Sequence, residues 1–171
     1  MENIISITQS VLTLTPVRWK GLIQHLPVDV LTRQPSKGEW SALECLIHLL
    51  DTERWVFPAR VQAFLAGRAF PAFDPDAQGT KSETDLSAEA ILAEFEGLRT
   101  ASLKDLANLN SADLDLRARH SQLGEVSLSE MLHEWAAHDL MHTVQAERAL
   151  MQPMIQGCGP WKSYFADHIA K

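Results

Sequence analysis

Two S-x-x-E sequences, Ser41 to Glu44 and Ser127 to Glu130, each stand at the head of a long stretch whose apolar residues recur every three or four positions. In such a box the Ser hydroxyl accepts from the backbone N–H three residues on, and the Glu carboxylate accepts from the Ser amide. Two of the donors orphaned at a helix start are thereby satisfied. The chain is committed to helices at both points. After Ser41 the apolar positions are Leu43, Leu46, Ile47, Leu50, Trp55 and Phe64. They predict a helix to about Leu65, kinked near Trp55 by Pro58 and capped by Gly67. After Ser127 the periodicity predicts a helix to about Leu150, ended by Pro153, Gly157, Gly159 and Pro160.

Other stretches follow the same period. Ile91, Leu92, Phe95, Leu98 and Leu103 predict a helix from about Ser87 to Leu106. Near the start, Asn3 to Leu14 reads as one helix. Thr15-Pro16 reads as the N-cap and first residue of a second, which carries Trp19, Leu22, Ile23 and Leu26 and stops before Pro27. A short last helix, around Trp161 to Ile169, is expected to lay its aromatic residues across one end. Strand-like alternation is scarce; only residues 120–128 could hold a small hairpin. With 171 residues the chain has length for a single domain, 1–171. Residues 68–86 are too many for a tight helix hairpin and imply a crossover running along the molecule. The expected fold is all-α, a four-helix bundle with long crossover connections.

Composition excludes some functions. A net charge of −7 and a pI near 5.4 argue against nucleic acid or anionic membrane as partners. The two cysteines, Cys45 and Cys158, suggest no disulfide framework, so a reducing compartment is expected. The start lacks a basic n-region with an apolar core, and no apolar run approaches the ~20 residues that span a bilayer. A cytoplasmic protein is the expectation. Five tryptophans (Trp19, Trp40, Trp55, Trp135 and Trp161) fit either core positions or a homodimer interface.

The histidines carry the chemistry. His138 and His142 lie four apart, so both imidazoles leave one helix face and can converge on an ion. Glu134, Trp135, Gln145, Ala146 and Ala149 share that face. Spacing of this kind is weak evidence alone, and a packing role competes with metal binding. His48 sits among Leu46, Ile47, Leu49 and Leu50, so it is buried and must be hydrogen-bonded or liganded. A core histidine and a ligand are both open readings of it. His133 should point away from the pair, and His25 and His168 read as surface residues. His120 falls in a loop and is either functional or merely polar.

In order along the chain stand Thr15-Pro16, Gly38-Glu39-Trp40-Ser41, His48 to Glu53, Arg60, Phe73 to Asp76, Arg99, His120 with Gly124, and Trp135 to Gln145. In this ordered set the chain resembles the DinB-like family, in the branch with an H-x-x-x-H last helix. The likeness extends from about residue 13 to 150. It implies a four-helix bundle with an unusual connection between helices 2 and 3, and one metal ion held by three histidines, here His48, His138 and His142. Relatives of similar build include thiol transferases and proteins proposed as metal-dependent hydrolases.

Three imidazoles leave a divalent ion, zinc or nickel by expectation, with open positions, the mark of a reactive rather than a structural centre. The resemblance thus implies a metal-dependent enzyme of thiol S-transferase or hydrolase type acting on a small molecule. The alternatives are a non-catalytic metal-binding stress or regulatory protein, and a metal-free helical oligomer. Candidate acid–base groups are Asp51 and Glu134, with Gln145 as a hydrogen-bonding partner. Glu44 has a competing task in its capping box. Glu53 is expected in an ion pair with an Arg. Asp139 should point elsewhere, and as a base in H-D-x-x-H it is one methylene short.

Overall fold

The computed structural model describes residues 3–74 and 86–170. Six helices form: α1 (Ile4–His25), the single turn α2 (Val28–Leu31), α3 (Ala42–Trp55), α4 (Phe57–Leu65), α5 (Ala88–Ala107) and α6 (Leu128–Gly157). Between α5 and α6, β1 (Arg117–His120) pairs antiparallel with β2 (Gly124–Ser127). Both capping boxes form as the sequence requires: Ser41 Oγ accepts from the Glu44 amide at 3.2 Å and Glu44 from the Ser41 amide at 2.7 Å, and Ser127 and Glu130 do the same. Each is worth about 1 kcal/mol to its helix.

The helix kink falls at Val56, which ends α3 and caps α4, with Pro58 in the first turn of α4. Gly67, at φ +62°, closes α4, and the Arg68 amide donates to the Ala63 carbonyl at 2.9 Å. This left-handed stop is one that Gly adopts without a Cβ penalty. Thus α3 and α4 make one bent rod, and the bundle has four rods: α1, α3/α4, α5 and α6.

Cross-links fix their directions. Thr8 meets Leu132 and Arg18 pairs with Glu147, so α1 and α6 run parallel. His48 meets His138 while Arg60 meets Glu134, so α3/α4 runs opposite to α6. The upper cluster packs Leu46 and Leu49 with Ile91 and Phe95; the lower packs Phe57 and Phe64 with Leu106 and Leu128. The bent rod and α5 are therefore parallel neighbours. A parallel pair needs a connection that returns the full length of the bundle, which accounts for the long 66–87 segment. The path of this crossover through 75–85 lies outside the described residues.

Three local expectations are overturned. Thr15-Pro16 does not start a helix: α1 is continuous, with Pro16 inside it and Thr15 Oγ1 donating to the Val11 carbonyl. Pro16 has no N–H for the Leu12 carbonyl, and the guanidinium of Arg99 donates to it instead, at 3.1 Å. Nor does Pro153 end the last rod; α6 runs on to Gly157. Neighbouring packing outweighs the local preference in both cases. The C-terminal segment, a 3-10 stretch from Gly159 to His168, leaves Trp161 and Tyr164 exposed rather than laid across the bundle end. Of the other tryptophans, Trp19 and Trp135 are core residues and Trp55 is exposed.

One buried ionic cluster joins all four rods. Arg99 of α5 donates to both Asp139 oxygens of α6 (2.6 and 3.2 Å), pairs with Glu53 of α3 at 2.9 Å, and reaches Leu12 of α1. Arg99, Glu53 and Asp139 are each 1 % exposed. Glu53 is thus in the arginine pair its sequence position suggested, and Asp139 turns away from the histidines beside it.

Candidate metal centre

The capping box places His48 two turns into α3, and the bundle sets that face against α6, where His138 and His142 stand one turn apart. The three rings converge, with centroids 5.0 Å (His48–His138), 4.4 Å (His48–His142) and 4.5 Å (His138–His142) apart. One nitrogen from each lies within 4.8 Å of the other two, a geometry that could hold a metal ion. His48 and His142 are buried and His138 is half-buried. The Nε2 atoms of His48 and His138 are 3.0 Å apart, while the Nδ1 atoms of both rings are buried without a partner among the described residues. Buried imidazoles normally have their nitrogens engaged. Burial, and then the neighbouring rings, hold His48 down to about 4 and His138 to about 2; burial also lowers His142. All three are therefore neutral near pH 7, the form in which imidazole ligates a metal. The donor set fits a divalent ion.

The surroundings orient this set. His142 Nδ1 lies 2.8 Å from Gln145 Oε1. Since an amide oxygen only accepts, His142 donates from Nδ1 and its Nε2 is left bare toward the other two rings. Trp40, placed by its position just before the Ser41 cap, stacks on His142 at 5.7 Å and 20°. Phe57, itself stacked on Trp135, lies steeply inclined to the His138 ring at 5.1 Å. A cavity of about 300 Å³ opens over the rings, walled by Trp40, Phe57, Phe73 and Met141 with Arg60 and Glu134 at its polar side.

Of the sequence candidates, Glu134 lines this cavity, hydrogen-bonded by Arg60 Nη1 at 3.1 and 3.3 Å. Gln145 backs His142 from the outside. Asp51 does not line the cavity: it pairs with Arg54 at 3.2 Å, and burial raises its pKa against the pull of that arginine. Glu44 stays in its capping box. His133 is exposed and bonded to the Ser129 carbonyl, away from the cluster as expected. Sequence reasoning gave no site role to Trp40, Arg60 or Met141. Arg60 stood in the family-like set, but only the kink at Val56 brings it back toward α6.

A bundle with a bent second rod parallel to the third, and three converging imidazoles between the second and last rods, defines a metal-capable helical protein. The comparisons give it its family. The DinB superfamily profile matches residues 12–146, and the chain belongs to that superfamily. No curated protein matches the sequence. Among solved structures it is similar to YfiT from Bacillus subtilis, described as a probable metal-dependent hydrolase with an unusual four-helix bundle topology. The TM-score is 0.75 at 19% identity, over 90% of this chain and 91% of that one. At that identity the likeness speaks for the fold. No helix among the described residues is long and apolar enough to cross a membrane.

Proposed function

We propose that the protein is a metal-dependent enzyme of the hydrolase or thiol S-transferase type, in which His48, His138 and His142 hold one divalent ion, zinc or nickel. The observation that carries this reading is the convergence of three neutral imidazoles on one point beneath an open cavity. A closed structural site uses four protein ligands; three leave room for a reactant. An ion there supplies Lewis acidity, which polarises a carbonyl and lowers the pKa of a water or thiol. The remaining work falls to the chain. Gln145 keeps His142 in the tautomer with Nε2 bare. Glu134 is the one carboxylate lining the cavity among the described residues, and is placed to take the proton of the attacking nucleophile. Arg60 Nη1 donates to both Glu134 oxygens and so orients the carboxylate. Trp40, Phe73 and Met141 shield the reacting centre from bulk water. The description of YfiT as a probable metal-dependent hydrolase agrees with this chemistry.

The test is elemental analysis of protein purified without a histidine-tag column, followed by turnover on ester, amide and thiol-plus-electrophile panels beside the His142→Ala variant. One equivalent of metal and a rate lost in the variant are expected. Equal rates in both proteins would falsify the assignment. Stoichiometric metal without turnover on any panel would leave a metal-binding protein of a non-catalytic kind.

A further inference from the structure

A second, smaller cavity adjoins the metal cavity beneath the β1–β2 hairpin. It measures about 170 Å³ and is lined by Arg60, Phe70, His120, Met131 and two carboxylates, Glu134 and Glu130, the latter with one oxygen taken up by the Ser127 cap. Arg60 and Glu134 line both cavities, so the two lie on either side of one ion pair. The hairpin fixes the state of His120. Its Nδ1 accepts from the backbone N–H of Gln122 and of Leu123, each at 3.1 Å, across a turn that Gly124 closes at φ +81°. An Nδ1 that accepts twice carries no proton, so in the neutral ring the proton is on Nε2. His120 therefore offers a donor from the ring edge away from the turn, and burial together with the Arg60 charge keeps it uncharged.

Arg60 supplies the second donor. It is 8 % exposed, and its guanidinium lies 5.7 and 5.4 Å from the Phe57 and Phe70 ring centres. The partner it holds, Glu134, is half in solvent, its side chain 51 % exposed. A buried cation whose carboxylate partner stands half in water is a site where one carboxylate can replace another. Phe70, held by its backbone to Arg119 and Ser121, stands edge-on to His120 at 5.5 Å and gives a flat apolar wall. Leu123, Val126 and Met131 continue that wall.

We infer that this recess is a carboxylate-binding subsite: Arg60 and the Nε2–H of His120 receive the carboxylate of a small molecule, whose remainder extends past Glu134 toward the three histidines. The substrate class is thus a small, partly apolar acid that carries its reactive bond at the end away from the carboxylate. What happens at that far end rests on the metal-enzyme reading above; the carboxylate contact does not.

The probe is benzoate, whose flat ring suits the wall. It is titrated into chelator-treated protein while the His120 ring resonances are followed by NMR, with uniform backbone spectra confirming the fold of each variant. Saturable shifts at His120 are expected, with affinity at least tenfold weaker in Arg60→Met and in His120→Phe. Methyl benzoate, of similar shape but uncharged, should give no saturable shift. Glu134→Gln should bind benzoate several-fold more tightly, because the resident carboxylate is gone. The His142→Ala variant should bind as the parent does. Binding of the ester as tight as that of the acid, or a Glu134→Gln variant that binds more weakly, overturns the subsite. Because metal is absent throughout, the outcome is independent of whether the protein is an enzyme.

Discussion

Two polar clusters lie buried in this bundle, side by side on the same helices, and they are built on opposite principles. Glu53 and Asp139 are each within a few residues of a histidine of the other cluster, yet they face Arg99, and opposite charges meet at 2.6–2.9 Å. The histidines face one another instead. Their neutral rings bring lone pairs to one point, and two Nδ1 atoms have no partner among the described residues. The first cluster sets its own arginine between two carboxylates; the second presents only lone pairs and offers a place for a cation from outside. The ionic cluster is the more completely buried of the two, so burial alone does not mark a functional site. The sign and direction of what the groups present to each other does.

The largest effect should come from breaking the ionic cluster. Arg99→Ala leaves two buried carboxylates facing each other and frees the Leu12 carbonyl, and removal of one member of such a set costs roughly 3–5 kcal/mol. Denaturant unfolding should show that loss, with little dependence on added metal. If Arg99→Ala were as stable as the parent while His142→Ala unfolded, the comparison would be reversed.

The histidine cluster should behave otherwise. His142→Ala should leave the metal-free protein folded but abolish stabilisation by metal, which in the parent amounts to about 2.7 kcal/mol at a free metal concentration 100 times Kd. Melting curves with zinc and with chelator read this directly. The metal-free parent should also lose stability in acid. His48 and His138 titrate lower in the folded protein than in the unfolded chain, so between about 6.5 and 4 the unfolded state binds more protons. Stability is full above 6.5 and falls as pH drops through that window; a double His48→Gln, His138→Gln variant should flatten the slope. A metal-free melting temperature that rises from pH 7 to 5 would contradict neutral, buried rings.

Smaller effects sharpen the contrast. Gln145→Leu removes the acceptor that fixes the His142 tautomer, and loss of such a partner weakens metal binding about 10–100-fold. It should leave chelator-treated stability nearly unchanged. Ser41→Ala removes a helix cap outside both clusters and should cost about 1 kcal/mol with metal affinity retained; competition with a chromogenic chelator distinguishes the two variants.

Much of this was legible in the chain. Ser41 with Glu44 and Ser127 with Glu130 set two helix starts to the residue, because a cap is a local interaction among four neighbours. Pro58 and Gly67 marked the bend and stop of the second rod for the same reason. The pairing of His138 with His142 followed from helix geometry, and His48 joined them only through family resemblance, since no local rule brings α3 to α6. Pro16 and Pro153 misled because their cost is settled by distant partners. Asp51 was unreadable between two directions until its arginine was placed. Arg60 and His120 lie 60 positions apart in the chain, and nothing in either neighbourhood reveals that a hairpin folds one over the other.

The proline inside α1 has a last implication. By withholding one amide hydrogen it turns a backbone oxygen of the first rod into a receptor for a side chain of the third. Restoring that hydrogen with Pro16→Ala would favour the isolated helix, yet it would compete with Arg99 for the same oxygen. A residue that looks like damage to its own segment thus works as an address label that joins two rods far apart in sequence.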